Sequence, residues 1–182
     1  MRHLPNIICL CRIALIWPIV DGLLGGAYER TLLLFAAAAA SDGLDGWLAK
    51  RYGWTSRLGK WLDPLADKLL LVSVLLVLTW LGHVPRYLAM SAVSRDVLIS
   101  LGAVVFRFAW GPVHGRPILS SKINTVLQLL YVLLVVTNAA WAQPPASVLQ
   151  AMAVVIFVTV LYSGVAYVRE FTLRALHLAA QP

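Results

Sequence analysis

Six apolar stretches, each long enough to cross a bilayer, follow one another along the chain with only short breaks between them. They run from Ile7 to Leu24, Thr31 to Ala49, Asp63 to Leu81, Val84 to Phe106, Lys122 to Trp141 and Ser147 to Val168. A helical span takes about 20 residues, so six use roughly 120 of the chain. Helix breakers mark each interruption: Gly25-Gly26, Gly53, Gly82 with Pro85, Gly111-Pro112 with Gly115 and Pro117, and Pro144-Pro145. Apolar residues make up 60% of the 182 and charged residues 13%. That leaves too little polar surface to cover a water-soluble globule, and it excludes a disordered chain and a disulfide scaffold. The expectation is an all-α integral membrane protein of six transmembrane helices, forming a single domain over residues 1–182 without internal repeats.

The basic residues orient these spans. With a cytoplasmic N-terminus, one side holds Arg2, Lys50, Arg51, Arg57, Lys60, Arg107, Arg116, Lys122, Arg169 and Arg174, whereas the other holds Arg30 and Arg86. Such asymmetry on alternate loops places both termini in the cytoplasm, since cytoplasmic loops are enriched in Lys and Arg. It also accounts for the net charge of +7 without a nucleic-acid partner. The basic start followed by an apolar run resembles a signal peptide, but Asp21 follows without a small-x-small cleavage site. The segment is read as an uncleaved first span, and the membrane as a cell plasma membrane. Cys9 and Cys11 are too few and too close for a disulfide framework.

The carboxylates carry the chemistry. Of eight acidic residues, Asp42, Asp45, Asp63 and Asp67 fall close together, in pairs three and four apart near the cytoplasmic ends of spans two and three. Spacings of three and four share a helix face. The two spans are antiparallel neighbours joined by a short basic loop, so all four carboxylates lie at one membrane depth. Four carboxylates this close repel unless compensated. An all-oxygen donor set without His or Cys suits two Mg²⁺ or Mn²⁺ ions, an arrangement that clamps phosphoryl oxygens. Capping offers a rival account of Asp63, because Asp63-Pro64 reads as a helix start. It does not account for four aligned acids, and acids at the membrane edge are functional by default. Gly43, Gly46, Ala49 and Gly59 interleave with the acids. Small residues promote close helix packing in membranes, and at Gly46 and Gly59 they also leave room for a nucleotide beside the backbone.

The string Asp42-x2-Asp45-Gly46-x2-Ala49-Lys50-x8-Gly59-x3-Asp63-x3-Asp67 resembles the signature of the CDP-alcohol phosphotransferases, with Lys50 where that family usually has Arg. Pro5-Asn6, Arg12 and Ser94-Arg95-Asp96 extend the resemblance along the chain. It implies transfer of a phosphatidyl group from CDP-diacylglycerol to a hydroxyl, with CMP leaving and two divalent metals bound, in a homodimer. Carried over by position, Asp42, Asp45, Asp63 and Asp67 resemble metal ligands. Asp67 also resembles the general base, and Gly46, Ala49, Lys50 and Gly59 resemble the nucleotide bed. The lipid tail stays in the bilayer and the nucleotide in water, which places the active site at the cytoplasmic face.

The acceptor is read from Arg95, Arg116, Lys122 and Asn124. Arg95 lies inside a span and has two readings, pairing with Asp96 or binding an anion. The stretch Ser121-Lys122-Ile123-Asn124-Thr125 with Gln128 resembles the eukaryotic-type cardiolipin synthases, which use phosphatidylglycerol. Phosphatidylglycerophosphate synthases, which use glycerol 3-phosphate, usually carry a second lysine where Asn124 stands. Cardiolipin formation is the leading expectation and phosphatidylglycerophosphate formation the alternative. A proton or cation transporter is the more remote reading; it needs neither the glycines nor the fixed spacing. The tryptophans near span ends read as an aromatic belt, and His114 is the one histidine in a basic loop that would meet a headgroup.

Overall fold

The computed structural model describes residues 4–52, 59–110 and 119–179, with side chains described for residues 9–41, 65–105, 108 and 121–173. Among the described residues there are six helices and no strand: α1 (Leu4–Leu24), α2 (Tyr28–Tyr52), α3 (Gly59–Trp80), α4 (Arg86–Trp110), α5 (Leu119–Trp141) and α6 (Ala146–Ala179). Over their described residues, three of them are long and apolar enough to cross a membrane, at Arg86–Val105, Ser121–Trp141 and Ala146–Leu173.

Two of the expected breakers, Gly26 and Gly82, end their helices by a shared device. At the end of α1, Gly26 has φ 72°, its N–H donates to the Leu23 carbonyl at 3.2 Å, and the Ala27 N–H donates to the Gly22 carbonyl at 2.8 Å. At the end of α3, Gly82 has φ 82°, with Gly82 N–H on the Thr79 carbonyl at 3.1 Å and His83 N–H on the Leu78 carbonyl at 2.9 Å. Both are Schellman caps, in which a left-handed glycine lets two otherwise orphaned carbonyls be satisfied. The start of α3 differs from expectation. The helix begins at Gly59, so Asp63 stands inside it and is not its N-cap. Pro64 also lies inside the helix, past the four N-terminal amides that lack helical partners.

The chain forms two compact units. The first comprises Met1–Val84 and Leu129–Leu149, and in it α1 packs on α2 and α3. Its core includes Ile19 and Leu23 of α1, Phe35 and Ala38 of α2, Ala66, Leu70, Val74 and Leu78 of α3, and Tyr131, Val132, Val135 and Val136 of α5. The α3 positions recur every four residues, the stripe a helix buries on one side. The α1–α2 hairpin is tight: a Cβ on Gly22 would collide with the hydroxyl of Thr31, which is buried and donates to the Ala27 carbonyl at 2.9 Å. Exposed Trp80 and Trp141 stand at the last residues of α3 and α5, whereas exposed Trp17 lies within α1.

The second unit comprises Pro85–Gln128 and Gln150–Pro182. Leu88, Ala89 and Ala92 of α4 are buried, as are Ala153, Ile156 and Val160 of α6. Tyr87 meets Phe157 edge to face at 5.3 Å, and Phe171 lies against Gly102.

Candidate functional site

The stretch that holds the four acids lies wholly in the first unit, and both parts of it with described backbone are helical. Because α2 continues to Tyr52, Asp42, Asp45, Gly46 and Ala49 sit at helical steps of three, four and seven, one stripe of that helix. Because α3 starts at Gly59, Gly59, Asp63 and Asp67 sit four apart along one stripe of α3. Small residues therefore share the carboxylate stripes, which is what close approach of a bulky ligand to backbone requires. The side chains of Asp42, Asp45, Gly46, Ala49, Lys50, Gly59 and Asp63 lie outside those described.

Asp67 is the one expected ligand whose side chain is described. It is half-buried and forms an ion pair with Arg12 of α1, whose guanidinium is buried; Arg12 Nη1 donates to Asp67 Oδ1. Among the described residues no three His, Cys, Asp or Glu side chains come together, and three of the four expected ligands fall outside that set. The chemistry of the donors fits a divalent ion: four aspartates on two helical stripes offer hard oxygen ligands only.

The acceptor candidates lie in the second unit. Arg95 of α4 is buried and makes the Asp96 contact that one of its two readings expects. Its Nη1 donates to Asp96 at 2.5 Å, while its Nη2 donates to Ser121 of α5 at 2.8 Å and to Ser163 of α6 at 2.7 Å. One turn on, Asn124 is fully buried and its side-chain amide meets the Thr159 hydroxyl at 3.0 Å. Nδ2 of Asn124 and Nε2 of Gln128 are buried without a partner, as is Nε of Arg95. Lys122 is exposed, apart from this polar seam. Arg116 and His114 lie outside the described residues.

Sequence reasoning missed Ser163 and Thr159. They lie four apart, on one face of α6. A cavity of about 510 Å³ opens between α4 and α6, bordered by Ser94, Arg95, Leu98, Val160, Gly164 and Arg169. Its walls are almost wholly apolar.

The family model described as CDP-alcohol phosphatidyltransferase matches residues 2–163. A cardiolipin synthase (CMP-forming) of Streptomyces coelicolor is 34% identical over 120 residues, covering 63% of this chain and 54% of that protein. The chain thus spans about half the length of that relative. A probable phosphatidylglycerophosphate synthase of Mycobacterium tuberculosis is 31% identical over 178 residues, covering 92% of this chain and 81% of the relative. A CDP-diacylglycerol--glycerol-3-phosphate 3-phosphatidyltransferase of Bacillus subtilis is 31% identical over 147 residues, covering 72% and 75%.

Proposed function

The chain belongs to the CDP-alcohol phosphatidyltransferase family, and we propose that it transfers the phosphatidyl group of CDP-diacylglycerol to phosphatidylglycerol, giving cardiolipin and CMP. It does so as a six-span protein of the plasma membrane, with both termini and the active site on the cytoplasmic side. The ten-to-two division of basic residues between alternate loops supports that placement.

In this reading Asp42, Asp45, Asp63 and Asp67 hold two divalent cations, Mg²⁺ or Mn²⁺. The chemistry these ions supply when bound is neutralisation of the pyrophosphate and polarisation of the P–O bond to the leaving group. Asp67 takes the proton of the acceptor hydroxyl as its oxygen attacks phosphorus. One P–O bond forms to the acceptor, one breaks to CMP, and the proton passes to the carboxylate. Gly46, Ala49 and Gly59 leave space for the nucleotide against the α2 and α3 backbones, and Lys50 supplies a cation to its phosphates.

The acceptor reading rests on one observation. The charge of Arg95 is already matched by Asp96 at 2.5 Å, and its neighbour along the seam is the neutral Asn124. Such a seam suits a phosphodiester with one negative charge better than a phosphomonoester carrying about −1.5 to −2. A second reading, glycerol 3-phosphate as acceptor, is favoured by the greater coverage of the relative named as a probable phosphatidylglycerophosphate synthase.

The test is CMP release by purified protein with CDP-diacylglycerol and Mg²⁺ or Mn²⁺, comparing phosphatidylglycerol, glycerol 3-phosphate and no acceptor. Release driven by phosphatidylglycerol and absent in Asp67→Asn is expected. Release driven only by glycerol 3-phosphate would replace the acceptor while keeping the reaction. No release with any acceptor would sink the enzymatic reading.

A further inference from the structure

Resting on the role proposed for Asp67, we infer that Arg12 is its positioning residue: a permanent cation on α1 that fixes the carboxylate in the orientation the metals and the acceptor need. The pair is asymmetric. Arg12 is 2% exposed, whereas the Asp67 side chain is 36% exposed. The arginine is enclosed, while the carboxylate keeps part of its surface accessible to a ligand. Along α3 the neighbours Ala66 and Leu70 point into the core, so Asp67 stands at the edge of the buried stripe, reached by Arg12 from within.

The geometry defines what Arg12 does. The terminal torsion of an aspartate is broad and roughly two-fold, so an unrestrained carboxylate samples many orientations. Donation from Arg12 Nη1 to Oδ1 ties one oxygen and so narrows the range of orientations open to the carboxylate. Partners of this kind behind a metal-binding carboxylate orient it and tune its donor strength. Arginine suits the task because its charge persists at any working pH and its planar group defines a direction, which an ammonium does not. The span carrying Arg12 thus contributes to the chemistry of α2 and α3 without touching substrate.

The experiment compares wild type, Arg12→Gln and Arg12→Lys as full chains in detergent, each checked for monodispersity. Two readouts are taken: Mn²⁺ binding by electron paramagnetic resonance, without substrate, and CMP release resolved into kcat and KM for CDP-diacylglycerol. Arg12→Gln is expected to weaken Mn²⁺ binding and lower kcat, each by about 10–100-fold, as for other outer-shell partners. The number of Mn²⁺ sites should stay unchanged and KM should move little. Arg12→Lys should recover part of both losses. In an Asp67→Asn background, Arg12→Gln should leave Mn²⁺ affinity unchanged, because the contact is already gone.

Wild-type Mn²⁺ affinity and kcat in Arg12→Gln would overturn the assignment. So would an equal loss of affinity in the Asp67→Asn background, or failure of both Arg12 variants to fold. If wild type released no CMP while Arg12→Gln still weakened Mn²⁺ binding through Asp67, the reaction would be wrong and the positioning role would stand.

Discussion

Arg95 and Ser163 are 68 residues apart in sequence and are joined by a 2.7 Å hydrogen bond that ties α4 to α6. The same guanidinium reaches Ser121 of α5 and Asp96, so one buried side chain links three helices of the second unit. Removing one partner of a buried ion pair costs about 3–5 kcal/mol, because the other charge is left uncompensated. Arg95→Met should therefore lower the thermal unfolding midpoint in detergent markedly. Adding Asp96→Asn should restore part of it, and a double variant no more stable than the single would refute the pairing as the cause.

Asn124 provides the sharpest test of acceptor choice. A charge-assisted hydrogen bond contributes about 1.5–3 kcal/mol, and each 1.4 kcal/mol is about tenfold in relative rate or affinity. Asn124→Lys should raise CMP release with glycerol 3-phosphate relative to phosphatidylglycerol by about tenfold or more. An unchanged acceptor ratio in a folded variant would remove Asn124 from the acceptor site.

Chelation and acid substitution test the carboxylate stripes. Stripping divalent ions should abolish CMP release, with Mg²⁺ or Mn²⁺ restoring it. Asp67→Asn should reduce kcat by about 10²–10⁴, the usual contribution of a positioned general base. Full activity after exhaustive chelation would exclude the metal assignment.

The hairpin between α1 and α2 makes a prediction about stability alone. Gly22→Ala forces a methyl against the Thr31 hydroxyl, and overpacking of this kind costs about 1–3 kcal/mol. Thr31→Ala in the same chain removes the obstructing oxygen and should recover most of the loss, read as the unfolding midpoint of single and double variants.

Much of the helical plan was legible because the breakers act locally. Gly26 and Gly82 cap their helices through backbone bonds within a few residues, so the residue types alone announce them. The start of α3 was misread for the complementary reason: Asp63-Pro64 has the form of a cap, but helix propagation through Gly59, Lys60, Trp61 and Leu62 overrode it. The carboxylate pairs were legible through their spacing. The side-chain contacts made between helices were not. Arg12 lies 55 residues from Asp67, and Thr159 carries a hydroxyl that bonds its own helix at the Ile156 carbonyl, the default for that residue type. Nothing local distinguishes such a hydroxyl from one that also meets a neighbouring helix.

The first unit is discontinuous in the chain, and this has a consequence for biosynthesis. Its core needs Tyr131, Val132, Val135 and Val136, yet these follow the whole of α4. A ribosome adding about 5–20 residues per second completes α1, α2 and α3 seconds before the helix that supplies the rest of their core has been made. During that interval the apolar faces that Tyr131, Val132, Val135 and Val136 later help to cover lack that cover.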